Sequence, residues 1–360
     1  EKTDVIGILS FKFAVRPATD QILPFAMDIG YSRSTAFLAK AHDLPLATIH
    51  SRLCLDMDVD TAMSDAGTHQ NQTLAQRPKT IAVRLPRWEF ERFPGEAFHL
   101  DARMKSTGAA MGLGDNFLQA FLAAHRACHP RHLLPALVSH REDSSPEPLI
   151  QRLVSPTPDR LTLIQAALKT GVQPEEIAKV TGIALHWIRQ FSDLVDLEKM
   201  LRSTSDVPLP AAVADHALLS GVNAGVLAHL LGISIDEANS RLSAATVQIG
   251  ASPVSDVDTA HIFFNTAAKG PSFHTPLGKS VLIVSPGTAR IGQSIELDHC
   301  CAHAAKALHA AGRSVIMASA NPASAVAAEN VDRCYVQPLT VADIDAICLT
   351  ENPEGVILQF

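Results

Sequence analysis

The chain has few aromatic residues, few cysteines and no long apolar run. Aromatic side chains make up 5% of its 360 residues although apolar residues make up 47%, which is typical of a globular, helix-rich protein. No apolar run reaches the ~18 residues of a membrane span, so no membrane partner is expected. Six cysteines without a CxxC pair favour reduced thiols over a disulfide framework. We therefore expect a cytoplasmic location, with the mitochondrial matrix as the alternative.

An excess of basic charge is also lacking. The 30 Lys and Arg residues stand against 37 Asp and Glu residues, so the formal net charge is −7. That balance gives no reason to expect nucleic acid or an anionic membrane surface as a partner. The length is sufficient for two or three domains of about 100–200 residues each.

The first block mixes strands and helices. Phe11–Val15 alternates apolar and other residues, which predicts a strand. The second apolar run, Ile22–Met27, contains Pro24, which favours an edge strand. Ser32 is a candidate cap for the helix that follows it.

The central block is helical and contains an internal repeat. Leu168–Val172 recurs as Leu218–Val222, and Gly182-Ile183 recurs as Gly232-Ile233, each 50 residues later. Each copy predicts a helix, a glycine turn and another helix, and the two copies are expected to pack together. Residues 140–158 are charged and proline-rich, which predicts a loop.

The last block begins with a strand, a glycine turn and a helix. Val281–Val284 is apolar, and the turn at Ser285–Gly287 lacks the G-x-G-x-x-G of a dinucleotide site. An anion at the helix N-terminus is one interpretation of this turn. Close backbone packing at Gly287 and Gly292 is the favoured one.

Two more apolar segments complete this block. Ser314–Ala318 and Gly355–Phe360 are predicted strands on either side of a helix near Val341–Leu349, which favours a parallel, helix-covered sheet. A strand that stops at the last residue leaves an unpaired edge, so we expect a piece of a longer chain. Residues 249–277 are expected only to connect the blocks.

Several short motifs follow one another along the chain, namely Ser32–Ala36, Val83–Phe93, Met104–Gly108, Arg290–Asp298 and Asn321-Pro322. In this order they resemble the large chain of carbamoyl-phosphate synthetase. The resemblance implies an α/β plus all-α fold with three parts. These are a remnant of an ATP-grasp α+β unit (1–126), a helical oligomerisation-type domain (127–270) and an incomplete Rossmann-like, pre-ATP-grasp parallel α/β unit (271–360).

The same resemblance implies an activity and partners. The family makes carbamoyl phosphate from bicarbonate and ammonia with ATP and Mg²⁺, and a glutaminase-type small subunit supplies the ammonia. Self-association through the helical domain is also implied. The sequence does not separate the pyrimidine pathway from the arginine pathway.

Three departures from the family pattern fall on its magnesium ligands. In the family, Gln, Glu and Asn hold the ions of bound ATP, and here the matching positions are Lys12, Ala26 and Asp28. Only Asp28 retains an oxygen ligand suited to a hard cation. We therefore expect that this chain does not bind Mg·ATP there and serves as an assembly segment. The alternative is a fragment of a working synthetase whose chemistry lies elsewhere.

Other candidate residues have competing interpretations. Arg33 and Arg290 either contact phosphate or tie backbone carbonyls. His299 and His303 have the spacing of helical zinc ligands, but a zinc site needs further ligands, so helix packing is favoured. The repeated helices resemble helix-turn-helix modules, yet neither copy has the basic face of a DNA reader.

Overall fold

The structure is a computed structural model. It describes residues 5–16, 19, 21–66, 80–93, 99–101, 103–129, 146–247, 249–253, 261–265, 276–293, 295–324 and 331–358. The chain divides into two compact units, one ending at Lys79 and the other beginning at Thr80. The predicted combination of α/β and helical parts is confirmed, whereas the three domain boundaries stay predictions.

The first unit contains an antiparallel hairpin and three short helices. Strands β1 (Leu9–Arg16) and β2 (Gln21–Ile29) pair with each other, and an irregularity falls where Pro24 lies opposite Phe13. Proline cannot donate to a strand ladder, so the irregularity at this position is the expected outcome. Helices α1, α2 and α3 follow as Arg33–His42, Leu46–Leu53 and Val59–Asp65.

Ser32 caps α1, as the sequence predicts. Its hydroxyl accepts the backbone N–H of Thr35, and the Thr35 hydroxyl accepts the backbone N–H of Ser32. This reciprocal arrangement satisfies two backbone donors at the start of the helix. A small core of Leu44, Leu46, Ile49 and Ala62, with Ala39 packed against it, then holds the three helices together.

The second unit opens with a strand pair packed on a helix. Strands β3 (Ile81–Arg87) and β4 (Gly108–Gly114) are antiparallel, a 3-10 turn spans Phe90–Arg92, and helix α4 (Phe117–Cys128) follows. A side chain at Gly112 would place its Cβ in steric overlap with the carbonyl oxygen of Ala120. The glycine therefore permits α4 to lie directly on β4.

Seven of the described helices form the central region. They are α5 (Pro146–Val154), α6 (Arg160–Lys169), α7 (Pro174–Thr181), α8 (Leu185–Ser203), α9 (Ala211–Leu219), α10 (Ala224–Leu231) and α11 (Ile235–Leu242). In the described parts of the chain no single helix has the length and apolarity to cross a membrane, and only the bent pair α9–α10 passes that test.

The internal repeat is confirmed in the backbone. Gly171 and Gly221 have φ of 93° and 86°, and Gly182 and Gly232 have φ of 70° and 69°. Positive φ is a conformation that glycine adopts without steric cost, so both copies turn at the same positions. Each copy holds three helices, and both contribute to one hydrophobic core.

The predicted loop at 140–158 is wrong for the residues that form α5. Leu149 and Leu153, four residues apart, are both buried in the core of the helical region. The prolines at the start of α5 suggested a loop, but proline is tolerated in the first turn of a helix, where its missing N–H would have no partner. Residues 140–145 lie outside the described residues.

A six-stranded sheet forms the last part of the unit, in the order β10-β7-β8-β9-β6-β5. The strands are β5 (Gly250–Pro253), β6 (His261–Asn265), β7 (Ser280–Val284), β8 (Ser314–Ala318), β9 (Arg333–Tyr335) and β10 (Gly355–Ile357). Among these described strands, only the β5–β6 pairing is antiparallel. Residues 249–277 therefore supply two strands, and the expectation of a mere connection is wrong.

Helices cover both faces of this sheet. Helix α12 (Ile295–Ala310) buries Cys301 and Ala305 against Ile283 and Val315. On the other face, α13 (Val341–Glu351) packs Ile347 in a second cluster, with the alternate strand residues Leu282, Ile316 and Ala318. The predicted parallel, helix-covered sheet is confirmed.

Replacing Leu153 with Ala tests the packing of α5. Leu153 is fully buried, so the substitution should lower the free energy of unfolding by about 2–5 kcal/mol. Its neighbour Val154 is 63% exposed, so Val154→Ala should change stability by no more than ~0.5 kcal/mol. Chemical denaturation measures both, and equal effects would contradict a buried α5.

Asp215 predicts a pH-dependent contribution to stability. Its carboxylate accepts hydrogen bonds from the Thr246 hydroxyl, the Val247 N–H and the Thr246 N–H, and these lower the pKa of Asp215 below its ordinary value. A carboxyl group with a depressed pKa stabilises the fold above its unfolded pKa, and that stability is lost as the pH falls through the folded pKa.

Asp215→Asn should therefore lower Tm at pH 7, and the deficit should shrink as the pH falls below the ordinary aspartate pKa of about 3.9 and through the lower pKa of the folded carboxyl group. Thermal unfolding at pH 7 and at a series of acidic pH values measures this. Asp193→Asn is the matched control, because the Asp193 carboxylate is exposed and makes no hydrogen bond to any described residue. A deficit that is constant with pH would refute the assignment.

Candidate functional site

The three predicted metal positions lie on one face of the β1–β2 hairpin. Lys12 is directly opposite Ala26, and Asp28 is opposite Ser10 in the same register. The Lys12 Nζ atom lies 3.3 Å from an Asp28 carboxylate oxygen, and the two side chains are 60% and 56% exposed. The hairpin therefore brings the three positions together, and an ion pair joins the two charged ones.

This set of side chains does not fit a magnesium ion. Mg²⁺ requires oxygen ligands in near-octahedral geometry, and here one carboxylate faces an ammonium group while Ala26 offers no ligand atom. An ammonium about 4 Å from a divalent ion repels it by roughly 2 kcal/mol even in water. The exposed ion pair itself contributes at most ~1 kcal/mol to stability, so its main consequence is electrostatic.

Arg33 and Arg290 lie in different units of the chain. Arg33 is the first residue of α1, where its side chain is exposed beside the Ser32 cap. A cation at this end of a helix meets the positive end of the helix dipole. The phosphate role of each arginine stays a prediction.

Arg290 lies in the loop between β7 and α12. Arg290 and Gln293 exchange two backbone hydrogen bonds of 2.9 and 3.1 Å, and the Ser285 hydroxyl accepts the N–H of Gly287. Gly292 has a φ of 80°, and a Cβ added there would meet no atom of the described residues within 4 Å. The close packing expected at Gly292 is therefore wrong, and the backbone angle explains this glycine.

Glu89 is a buried carboxylate that sequence reasoning missed. It is 3% exposed, accepts the backbone N–H of Ile291 at 2.8 Å, and lies 3.9 and 3.7 Å from the guanidinium groups of Arg87 and Arg92. It therefore fixes the β7–α12 loop to the end of β3. The available signal was its position between two arginines, within the motif Val83–Phe93.

The His299 and His303 pair does not extend to a metal centre. Their rings lie 4.3 Å apart on the exposed side of α12, and no group of three or more possible metal ligands occurs among the described residues. Burial, aided by Asp298, raises the pKa of Cys301 to about 12, so this thiol stays protonated and packs on the sheet. Cys300 is exposed.

Glu89→Ala should release the β7–α12 loop. The substitution leaves the Ile291 N–H and two arginines without their carboxylate, which should cost about 1–3 kcal/mol in unfolding free energy. Hydrogen exchange at the Ile291 amide should accelerate by more than the global loss of stability explains. Glu89→Gln keeps an acceptor oxygen and should restore part of the amide protection; equal exchange in both variants would contradict this role.

Comparison with known proteins identifies two domains. Residues 109–245 match the family model for the oligomerisation domain of the carbamoyl-phosphate synthetase large chain. Residues 278–360 match the model of the carbamoyl phosphate synthase preATP-grasp domain. The two matches cover the repeated helices and most of the six-stranded sheet.

Curated relatives match nearly the whole chain. The large chain of carbamoyl phosphate synthase from Nostoc sp. strain PCC 7120 is 31% identical over 98% of this chain and 33% of its own length. The arginine-specific chloroplastic large chain of Oryza sativa is 32% identical, with coverages of 98% and 31%, and the Neisseria meningitidis serogroup B large chain is 30% identical, with 98% and 33%. The chain thus spans about a third of the length of these relatives. It belongs to the carbamoyl-phosphate synthetase large-chain family.

Proposed function

We propose that this chain is an assembly segment of a carbamoyl-phosphate synthetase large chain, without a working Mg·ATP site of its own. In this proposal residues 1–126 are the end of an ATP-grasp unit, 127–270 the oligomerisation domain and 271–360 the start of the second synthetase half. The order of the two matched family models supports the second and third parts. The motif resemblance supports the first.

The ion pair between Lys12 and Asp28 is the observation that carries the proposal. The register of the hairpin gathers the family's three ligand positions on one face, where Lys12 faces Asp28 and Ala26. Phosphoryl transfer needs divalent ions beside the phosphates to neutralise developing charge. An ammonium group next to the remaining carboxylate opposes a divalent ion at that place.

The helical region is the proposed assembly element. Its family model is described as an oligomerisation domain, and its two repeats share one well-packed core. A rigid helical body of this kind presents a fixed surface for self-association. A glutaminase-type small subunit is a further proposed partner, by family resemblance.

A second candidate is a contribution to synthetase chemistry that lies outside residues 1–360. The similarity across 98% of the chain to complete large chains favours it. This candidate keeps the assembly role. It differs from the first in that residues outside 1–360 bind and use ATP. Reading the gene beyond Phe360 separates the two candidates: an ATP-grasp unit there that keeps its Glu and Asn ligands would favour this candidate over the first.

The proposal predicts that the chain does not bind Mg·ATP in the micromolar range. Isothermal titration calorimetry at neutral pH measures this, and micromolar binding by the wild-type chain would overturn the proposal. A second titration with Mn²⁺ alone, followed by water-proton relaxation, tests the hairpin directly.

The double variant Lys12→Gln with Ala26→Glu restores two oxygen ligands beside Asp28. We expect its Mn²⁺ affinity to exceed that of the wild type at least tenfold, which corresponds to about 1.4 kcal/mol. The matched control is Lys12→Gln with Ala14→Glu. It makes the same charge change but places the new carboxylate on β1, two residues from position 12 and opposite Leu23. Equal Mn²⁺ binding by both variants would show that charge alone, and not the three positions, controls the site.

A further inference from the structure

A small cavity lies inside the helical region, where the two copies of the internal repeat meet. Helices α6 and α8 of the first copy supply six of its eight lining residues, and Val222 and Leu230 of the second copy supply the other two. All eight residues are at most 8% exposed. The walls of the cavity are therefore interior residues of this one region, far from both ends of the chain.

The cavity is large enough for one water molecule. The space open to the centre of a water-sized sphere is about 10 Å³. A water molecule needs roughly 10–15 Å³ when its whole sphere is counted, so the cavity has room for one.

Two of the lining residues are polar. Gln165 is 2% exposed, and its Nε2 atom is buried without a hydrogen-bond partner among the described residues. Gln165 lies four residues before Lys169, so both side chains lie on one face of α6, and the Lys169 Nζ atom is 2.6 Å from the Oε2 atom of Glu198 on α8. The other Glu198 oxygen accepts from Arg202 Nε at 3.1 Å. The cavity therefore has an amide donor and a carboxylate acceptor in its wall.

The second copy of the repeat explains why Gln165 lacks a protein partner. At the 50-residue spacing of the repeat, Gln165 corresponds to Asp215. Asp215 accepts the backbone N–H groups of Thr246 and Val247, just beyond the end of α11. In the first copy the corresponding residues 196 and 197 lie inside α8, where backbone N–H groups bond within the helix. The side chain at position 165 therefore faces the cavity wall without an equivalent backbone partner.

The chemistry of the cavity favours a neutral ligand. The charge of Glu198 is already balanced by Lys169 and Arg202, so a further cation gains little there and also faces the amide N–H of Gln165. An anion is repelled by the carboxylate. A carboxylate has about four lone-pair sites, so Glu198 can accept one more hydrogen bond. The fitting ligand is a small neutral molecule that both accepts and donates hydrogen bonds.

We propose that this cavity is a binding site for one water molecule, which accepts a hydrogen bond from Gln165 Nε2 and donates one to the Glu198 carboxylate. Native proteins hold buried waters where polar groups would otherwise lack a partner. The water connects α6 to α8 beside the wall formed by the second copy, so it belongs to the joint between the repeats. This site does not rest on the function proposed above.

Oxygen-17 magnetic relaxation dispersion of the full chain tests the site, because it counts water molecules that stay bound for longer than the protein takes to tumble. Gln165→Met keeps the length of the side chain and removes its hydrogen-bonding atoms, so we expect the count to fall by one. Gln151→Met is the matched control, because it makes the same chemical change at an exposed position of α5 and should leave the count unchanged. An equal count in the wild type and Gln165→Met would overturn the site.

A crystal structure of the wild-type chain tests the site without any substitution. We expect electron density for one water about 2.7–3.2 Å from Gln165 Nε2 and within hydrogen-bonding distance of a Glu198 oxygen. A cavity without density, or a Gln165 amide that donates directly to a protein acceptor, would each contradict the proposal. Circular dichroism and thermal unfolding confirm that both variants are folded, and if Gln165→Met does not fold, the wild-type density alone decides.

Discussion

The close approach of α4 to β4 is the constraint on which the second unit depends. Gly112 allows it, because any side chain there would meet the backbone of α4. From this position, Asn116 and Gln119 at the start of α4 both donate to the carbonyl oxygen of Leu219 at the end of α9. Arg87 donates to the carbonyl of Cys128 at the other end. One helix is thus hydrogen-bonded both to the strand pair and to the repeated helices.

A buried ion pair connects the same helix to the parallel sheet region. Arg126 of α4 and Asp343 of α13 lie 3.5 Å apart with side-chain exposures of 8% and 7%. Desolvation of two charges offsets most of the attraction in such a pair, so its presence is weak evidence for added stability. Removal of one partner, however, leaves a buried charge without compensation. The pair therefore defines where α13 lies relative to α4 more than it strengthens the fold, and the N-cap hydroxyl of Thr340 supports Asp343 in that position.

Elements whose residues recur with a strong period could be predicted from the sequence. Elements that depend on contacts between residues distant in the chain were missed. The repeat was visible because glycines with positive φ recur at fixed spacing, and β7, β8 and α13 are apolar runs between clear turns. Helix α5 was missed because its prolines hid the spacing of Leu149 and Leu153, and β5 and β6 because short strands gain their stability from neighbours distant in the chain. The geometry of the Lys12–Asp28 ion pair could not be predicted because it depends on the register of the hairpin. The role of Glu89 could not be predicted because its partner Ile291 is 202 residues away.

The two faces of the β1–β2 hairpin can change separately. An exposed ion pair contributes at most ~1 kcal/mol, so replacing the residues of the face that carries Lys12 and Asp28 has little effect on folding. Side chains alternate along each strand, so the residues between the ligand positions lie on the other face and are not altered by a change at those positions. Lys12 and Ala26 can therefore stand in place of oxygen ligands while the β1–β2 pairing is kept.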